Sequence, residues 1–166
     1  MCLSRTSRAC LVCRPDPCSL QRRRSNLKRL LNPRHVAFVG GRQMARAIDM
    51  CCSSGFKGEI WSVDPKYESL AGVACVPSVR DLPSAPDATF IALAAERSID
   101  VVSDLAAKGG AGAIVHASGF GELGAEFKSL ETRLDTAAGS MAVIGPNTTV
   151  SSTTLMGLLF GQTRTI

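Results

Sequence analysis

The sequence predicts an α/β protein in which helices cover both faces of a doubly wound parallel sheet. Short apolar runs alternate with segments of helical spacing from residue 27 to residue 147. The runs are continuously apolar, which is typical of parallel strands buried on both faces. Hydrophobic residues make up 45% of the 166 residues and aromatic residues only 5%, a balance typical of an Ala- and Val-rich α/β core.

The first predicted strand, glycine loop and helix lie within residues 35–54. The apolar run of residues 36–39 ends at Gly40 and Gly41, and a helical pattern follows over residues 43–54. Free N–H groups and the positive end of a helix dipole favour an anion above such a turn, so we expect a phosphate-bearing ligand. The loop reads G-G-x-x-x-A and not G-x-G-x-x-G, so a tight turn without a ligand stays open as the alternative.

The remaining elements continue the same alternation. We predict strands over residues 59–65, 86–93, 111–119 and 141–147, a short extended piece over residues 73–79, and helices over residues 96–108 and 126–138. Gly109 and Gly110 end the helix that precedes them. The predicted architecture is therefore Rossmann-like, with its ligand outside the carboxyl ends of the strands.

The N-terminal segment differs from the rest in charge. Residues 1–34 carry nine Arg and Lys and one Asp, whereas the whole chain has a net charge of +5. We predict that residues 1–25 form a disordered basic leader, because Arg, Ser, Pro and Cys without apolar periodicity do not form a packed element. No aromatic residues interleave with the basic run, so no nucleic acid partner is expected. Cys10, Cys13 and Cys18 offer three thiolates without a fourth ligand, so no metal site is predicted.

The length of the apolar runs and the search for a secretory signal indicate the cellular compartment of the protein. No run approaches the roughly 20 apolar residues of a membrane span, and no secretory signal is recognisable. We therefore expect a cytoplasmic protein with reduced cysteines and no membrane partner.

The loop after the second predicted strand discriminates between nucleotide ligands. Asp64 ends this strand, where NAD enzymes hold the ribose hydroxyls with an acidic residue. Pro65 and Lys66 follow at once, and a lysine suits an additional phosphate better than a pair of hydroxyls. A ligand with more phosphate than NAD is favoured.

Five blocks occur in order within residues 26–147: LLNPRHVAFVG, GFKGEIWSVDPKYESLAGVACVPSVRDLP, PDATFIAL, GAIVHASGF and IGPN. Together they resemble the N-terminal coenzyme A-binding domain of the nucleoside-diphosphate-forming acyl-CoA synthetases, relatives of the succinyl-CoA synthetase alpha subunit. The resemblance implies a CoA-binding, Rossmann-like domain over residues 26–149.

The resemblance also implies which residues contact CoA. It assigns the phosphates to Gly40, Gly41 and Gln43, and the adenosine end to Val63, Pro65 and Lys66, with Lys66 on the ribose phosphate. It assigns the pantetheine arm to Leu93, Ala94 and Ala95, and the path to the thiol to Ser118, Gly119 and Asn147. The first loop departs from the longer glycine-rich loop of the family and carries Arg42 and Arg46 in its place.

No catalytic residue is predicted. The phosphorylated histidine of the family belongs to a later domain, and neither His35 nor His116 lies in its motif. His116 ends a predicted buried strand, which indicates a core or rim imidazole. Ser118 lacks a paired base and the G-x-S-x-G context of a nucleophile.

The resemblance therefore implies a CoA-binding module of an acyl-CoA synthetase without activity of its own. Its expected partners are CoA or acyl-CoA and a chain that carries the phosphohistidine and ATP-grasp domains. Two alternatives stay open: a small NAD(P)-binding oxidoreductase that reads the ribose with Asp64 or Lys66, and a free-standing CoA-responsive regulatory or scaffold protein.

The resemblance ends after Asn147. Residues 150–166 lack a clear periodicity and are predicted to be an irregular tail. Our hypothesis is that a one-nucleotide frameshift near the Thr149 codon truncated the chain. The tail can be back-translated into a nucleotide sequence whose neighbouring reading frame resembles the continuation of the family.

Overall fold

The computed structural model describes residues 17–116 and 125–145. The strands are β1 (His35–Val39), β2 (Glu59–Val63), β3 (Ser69–Leu70), β4 (Val73–Val76), β5 (Ala88–Ile91), β6 (Gly112–Val115) and β7 (Ala142–Ile144). The α-helices are α1 (Pro17–Leu31), α2 (Ala45–Ser53), α3 (Ala95–Lys108) and α4 (Ala125–Ala138), and short 3-10 helices span Arg42–Met44 and Val79–Asp81. No helix within the described ranges has the length and apolar character needed to cross a membrane.

The seven strands form one sheet in the order β3-β4-β2-β1-β5-β6-β7. All neighbouring pairs are parallel except β3 and β4, which are antiparallel. β1 lies between β2 and β5, so the chain order reverses on its two sides, and this reversal is the switch point of a doubly wound sheet. The predicted Rossmann-like fold is confirmed.

The helices cover both faces of the sheet. Val36 and Phe38 of β1 are buried in one core, which includes Leu30 of α1 and Ile48 of α2. The alternate β1 residues are buried in a second core, which contains the apolar residues of α3 and α4. Burial on both faces accounts for the continuously apolar strands of the sequence.

A hairpin with a two-residue turn lies at one edge of the sheet. Ser69 pairs with Ala74 and Leu70 pairs with Val73, so residues 71 and 72 form the turn. Both turn residues have positive φ, 49° at Ala71 and 78° at Gly72, which is the conformation of the tight hairpin turns that match the strand twist.

Helix α1 begins inside the segment that we predicted to be disordered, so the prediction is wrong for residues 17–25. Pro17 occupies the first helical position, where its fixed φ and missing N–H favour helix initiation. The helix is held by distant groups: the Asn26 side chain donates to the Ser140 carbonyl at 2.9 Å, and the Leu30 side chain is fully buried. Residues 1–16 of the predicted leader lie outside the described residues.

A buried carboxylate joins α1 to the amino-terminal edge of the sheet. Asp87, which is 1% exposed, accepts a hydrogen bond from Arg29 Nε of α1 at 2.7 Å and another from the Arg34 N–H at 2.9 Å. Burial by itself raises the pKa of Asp87, but these hydrogen bonds and the nearby positive charges outweigh it, so the pKa lies below its usual range.

We expect Asp87→Asn to lower the free energy of unfolding by about 2 kcal/mol at neutral pH, because charge-assisted hydrogen bonds to a buried group are lost. Since the folded-state pKa lies below the unfolded value of about 3.9, this contribution is complete above that pH and is lost as the pH falls through the folded-state pKa. Urea unfolding as a function of pH measures it.

The matched control is Glu96→Gln, which breaks the ion pair of Glu96 and Arg133 at 2.6 Å. Both side chains are at least half exposed, so this change should leave stability nearly unaltered. Equal effects of the two substitutions would contradict the role of Asp87 as the anchor of α1.

Candidate functional site

Two adjoining cavities lie at the carboxyl ends of the strands. The larger cleft, of about 450 Å³, is lined by the ends of β1 and β2, by residues 77–79 and by α3. The smaller cavity, of about 360 Å³, is lined by Gln43, Ala92, Leu93, Ala94 and His116. Leu93 lines both, so the two cavities adjoin at this residue, and together they are called the crevice at the switch point of the sheet.

The β1 loop enters this crevice by a close approach of two backbones. Gly40 has a φ of 137°, and a Cβ atom there would lie 2.8 Å from the Ala92 carbonyl oxygen. Its N–H points across the sheet to the Val63 carbonyl oxygen at 3.3 Å. Only glycine fits both the conformation and the space.

The N–H groups that follow Gly40 belong to the first turn of a helix. The Met44 N–H donates to the Gly41 carbonyl at 2.9 Å and the Ala45 N–H to the Arg42 carbonyl. The Met44 N–H is the first one bonded within this turn. The N–H groups of residues 41–43 precede it and can therefore bind an anion.

Gly41 forms the floor of the larger cleft. A Cβ atom there would lie 3.4 Å from Tyr67 Cε2 and 3.5 Å from Asp64 Oδ2. A side chain at position 41 would therefore occupy part of the cleft. It would not require a positive φ.

The loop after β2 contributes a carboxylate and an ammonium group. Asp64 Oδ1 accepts a hydrogen bond from the Lys66 N–H at 2.8 Å, which forms a tight turn at the end of the strand. Lys66 is exposed and lines the larger cleft together with Pro65 and Tyr67. The turn thus holds the Lys66 backbone beside the Gly41 loop.

The opposite wall of the larger cleft contains residues that sequence reasoning missed. They are Pro77, Ser78 and Val79 after β4 and Asp100, Val101 and Asp104 of α3. Positions 97, 101 and 104 share one face of α3 at helical spacing. This spacing was the sequence feature that could have predicted that the three residues lie together. Only the tertiary arrangement brings this face to the cleft.

The charges around the larger cleft are partly compensated. Asp104 accepts two hydrogen bonds from the Arg80 guanidinium, at 2.7 and 3.0 Å. Among the described residues that line this cleft, Lys66 and Arg97 are the cations, so their side chains can bind an anion there.

The smaller cavity begins where Gln43 meets the end of β5. The Gln43 side-chain amide donates to the Ala92 carbonyl oxygen. Helix α3 starts one residue beyond Ala94, which provides no side-chain cap. The positive end of α3 therefore lies beside this cavity.

The structure brings most of the predicted CoA contacts together. Those in the larger cleft are Gly40, Gly41, Val63, Pro65, Lys66 and Leu93; Gln43 and Ala94 line the smaller cavity. Ala95 is buried in the first turn of α3. Ser118, Gly119 and Asn147 lie outside the described residues, as do residues 150–166 of the predicted tail.

Comparison with known proteins identifies the family of this chain and several relatives. A family model described as a CoA binding domain matches residues 33–153. The acetate–CoA ligase (ADP-forming) II of Archaeoglobus fulgidus is 32% identical over 132 residues, which cover 75% of this chain and 20% of that protein. The alpha subunit of acetate–CoA ligase (ADP-forming) II from Pyrococcus furiosus is 28% identical over 122 residues, which cover 70% of this chain and 27% of that subunit.

A solved structure agrees with these matches. The apo form of the dinucleotide forming acetyl-coenzyme A synthetase 1 of Ca. Korarchaeum cryptofilum superimposes with a TM-score of 0.66 at 33% identity. The match covers 73% of this chain and 28% of that one. The chain thus spans between 20% and 28% of the length of these three relatives.

The two loop glycines should respond differently to substitution. Gly40→Ala should lower the free energy of unfolding by about 1–3 kcal/mol, because it combines a strained φ with overlap on the Ala92 carbonyl oxygen. Gly41→Ala should fold with little loss of stability. Thermal unfolding of the two variants tests the geometry of the loop, and equal stability of both would contradict it.

Proposed function

The chain belongs to the CoA binding domain family, and we propose that its crevice binds coenzyme A. The observation that carries the proposal is the joined pair of cavities at the switch point. A long ligand with an anionic middle needs such a path, with free N–H groups at its centre and a cation at one end. The β1 loop offers the first and Lys66 the second.

The larger cleft suits the adenosine end of CoA. Pro65, Tyr67, Val79, Leu93 and Val101 provide apolar surface for a purine. Lys66 lies at this end and is the proposed partner of the ribose phosphate, which NAD does not carry. The diphosphate then lies at the N–H groups of residues 41–43.

The smaller cavity suits the pantetheine arm. The arm crosses Leu93, which both cavities share, and runs past Ala94 and the start of α3. Small side chains along this path let the backbone approach a thin ligand. The proposed end of the path is near His116.

We propose that the chain is the CoA-binding module of an acyl-CoA synthetase that forms a nucleoside diphosphate. Its relatives are named as ADP-forming acetate–CoA ligases, and one of them is an alpha subunit. Formation of acyl-CoA by this module then depends on phosphohistidine and ATP-grasp domains, supplied by a partner chain or by further sequence.

An NAD(P)-dependent oxidoreductase is the second candidate, favoured by one observation. Asp64 stands at the end of β2, where NAD enzymes bind the ribose hydroxyls. Against this candidate, Asp64 Oδ1 already accepts the Lys66 N–H, and Lys66 lines the same cleft as a cation suited to an additional phosphate. Calorimetric titration with CoA, dephospho-CoA, NAD and NADP distinguishes the candidates.

We expect CoA to bind more tightly than dephospho-CoA, and NAD and NADP to bind much more weakly than either. Preference for NADP over CoA would support the oxidoreductase. Absence of binding by all four ligands would contradict both candidates.

The Lys66→Ala substitution tests the ribose phosphate contact. It should cost about 1–3 kcal/mol of binding free energy toward CoA and little toward dephospho-CoA, because one charge-assisted contact is removed. Lys57→Ala is the matched control, since Lys57 is an exposed lysine that precedes β2, at the opposite edge of the sheet. Equal losses for CoA and dephospho-CoA would remove Lys66 from the phosphate site.

A further inference from the structure

One titratable side chain in the smaller cavity has no role in the proposed CoA contacts. Among the five described residues that line this cavity, His116 is the one with an ionisable side chain. The others are an amide and three aliphatic side chains. His116 is therefore the described side chain of this cavity that can exchange a proton with the end of a ligand.

The backbone of His116 is fixed at the edge of the sheet. Its N–H donates to the Ile91 carbonyl at 2.8 Å, which extends the pairing of β5 and β6 by one residue. The side chain is exposed, so the imidazole is open to a ligand that enters the cavity.

The start of α3 is a positive feature beside this cavity. The Ser98 N–H, which donates to the Ala94 carbonyl at 2.9 Å, is the first one bonded within the helix. The N–H groups of residues 95–97 precede it and form the positive end of a helix of 14 residues. Ala94, which lines the cavity, stands at this end.

Neighbouring charged groups are engaged elsewhere. Glu96 in the first turn of α3 is held by two hydrogen bonds from Arg133. Arg97 lines the larger cleft. Gln43 of the β1 loop is neutral, and Ala92 and Leu93, which follow β5 and line the cavity, are aliphatic.

We propose that His116 accepts the proton of the CoA thiol in the smaller cavity and holds the resulting thiolate beside the start of α3. This inference rests on the proposed CoA path, because the pantetheine arm ends in the thiol. The S–H bond breaks, its proton forms an N–H bond on the imidazole, and no other reactant takes part. The products are an imidazolium and a thiolate, and the thiolate is the nucleophile that acyl transfer requires.

A helix N-terminus and a protonated histidine are the two neighbours that lower the pKa of protein thiols. The start of α3 lies at this cavity and the proton transfer makes His116 the imidazolium, so bound CoA should ionise at lower pH than free CoA. The alkylation rate of the CoA thiol by iodoacetamide, followed across the neutral and alkaline range with protein in excess, reports the thiolate fraction. Because the protein has seven cysteines, alkylated CoA itself is quantified by chromatography and mass spectrometry.

We expect the midpoint of this pH–rate profile to fall by about one pH unit on binding to the unaltered protein. In His116→Gln the midpoint should return to that of free CoA, while calorimetry still detects CoA binding. His35→Gln is the matched control, because His35 begins β1 at the opposite edge of the sheet and stacks on Trp61 with ring centroids 5.2 Å apart. It should keep the shifted midpoint.

Two results would overturn the inference and are distinguishable from each other. CoA binding with an unshifted midpoint, or an equal shift in His116→Gln, would remove His116 from the thiol and leave the proposed function standing. Failure of the unaltered protein to bind CoA would overturn the proposed function and this inference together.

Discussion

The close approach of Gly40 to the Ala92 carbonyl oxygen determines where the crevice lies. It lets the β1 loop fold directly over the end of β5, where the Gln43 amide binds the same carbonyl. Val39 is paired with Val63 on one side and with Ile91 on the other, so the three central strands end level. The loops that follow them are therefore neighbours, and both cavities open along one line.

The two edges of the sheet use charged groups differently. At the amino-terminal edge, the carboxylate of Asp87 is buried and gathers Arg29 and the Arg34 N–H around it. At the carboxyl edge, the larger cleft is lined by two exposed cations and three aspartates, and the N–H groups of residues 41–43 precede the first turn of a helix. Stability thus depends on an anion that the protein supplies, whereas Lys66, Arg97 and the loop N–H groups at the other edge can bind an anion that a ligand supplies.

Local sequence patterns predicted the sheet well because each strand is buried on both faces and reads as a continuous apolar run. They failed at α1, whose anchors are polar contacts with residues more than fifty positions away, such as Arg29 with Asp87. The residues of the larger cleft that follow β1 and β2, such as Gly40 and Lys66, could be predicted because they stand at the ends of apolar strands. The opposite wall could not be predicted, because Asp100 and Asp104 reach the cleft only through the packing of α3.

The hairpin of β3 and β4 has a consequence for the behaviour of the sheet in concentrated solution. A parallel sheet that ended at β4 would present a row of unpaired N–H and carbonyl groups to other molecules. The two residues of β3 occupy that row, and the turn at Ala71 and Gly72 leads the chain back within a few ångströms. So short an edge strand offers little template for pairing between molecules, and aggregation by strand addition is suppressed on this side.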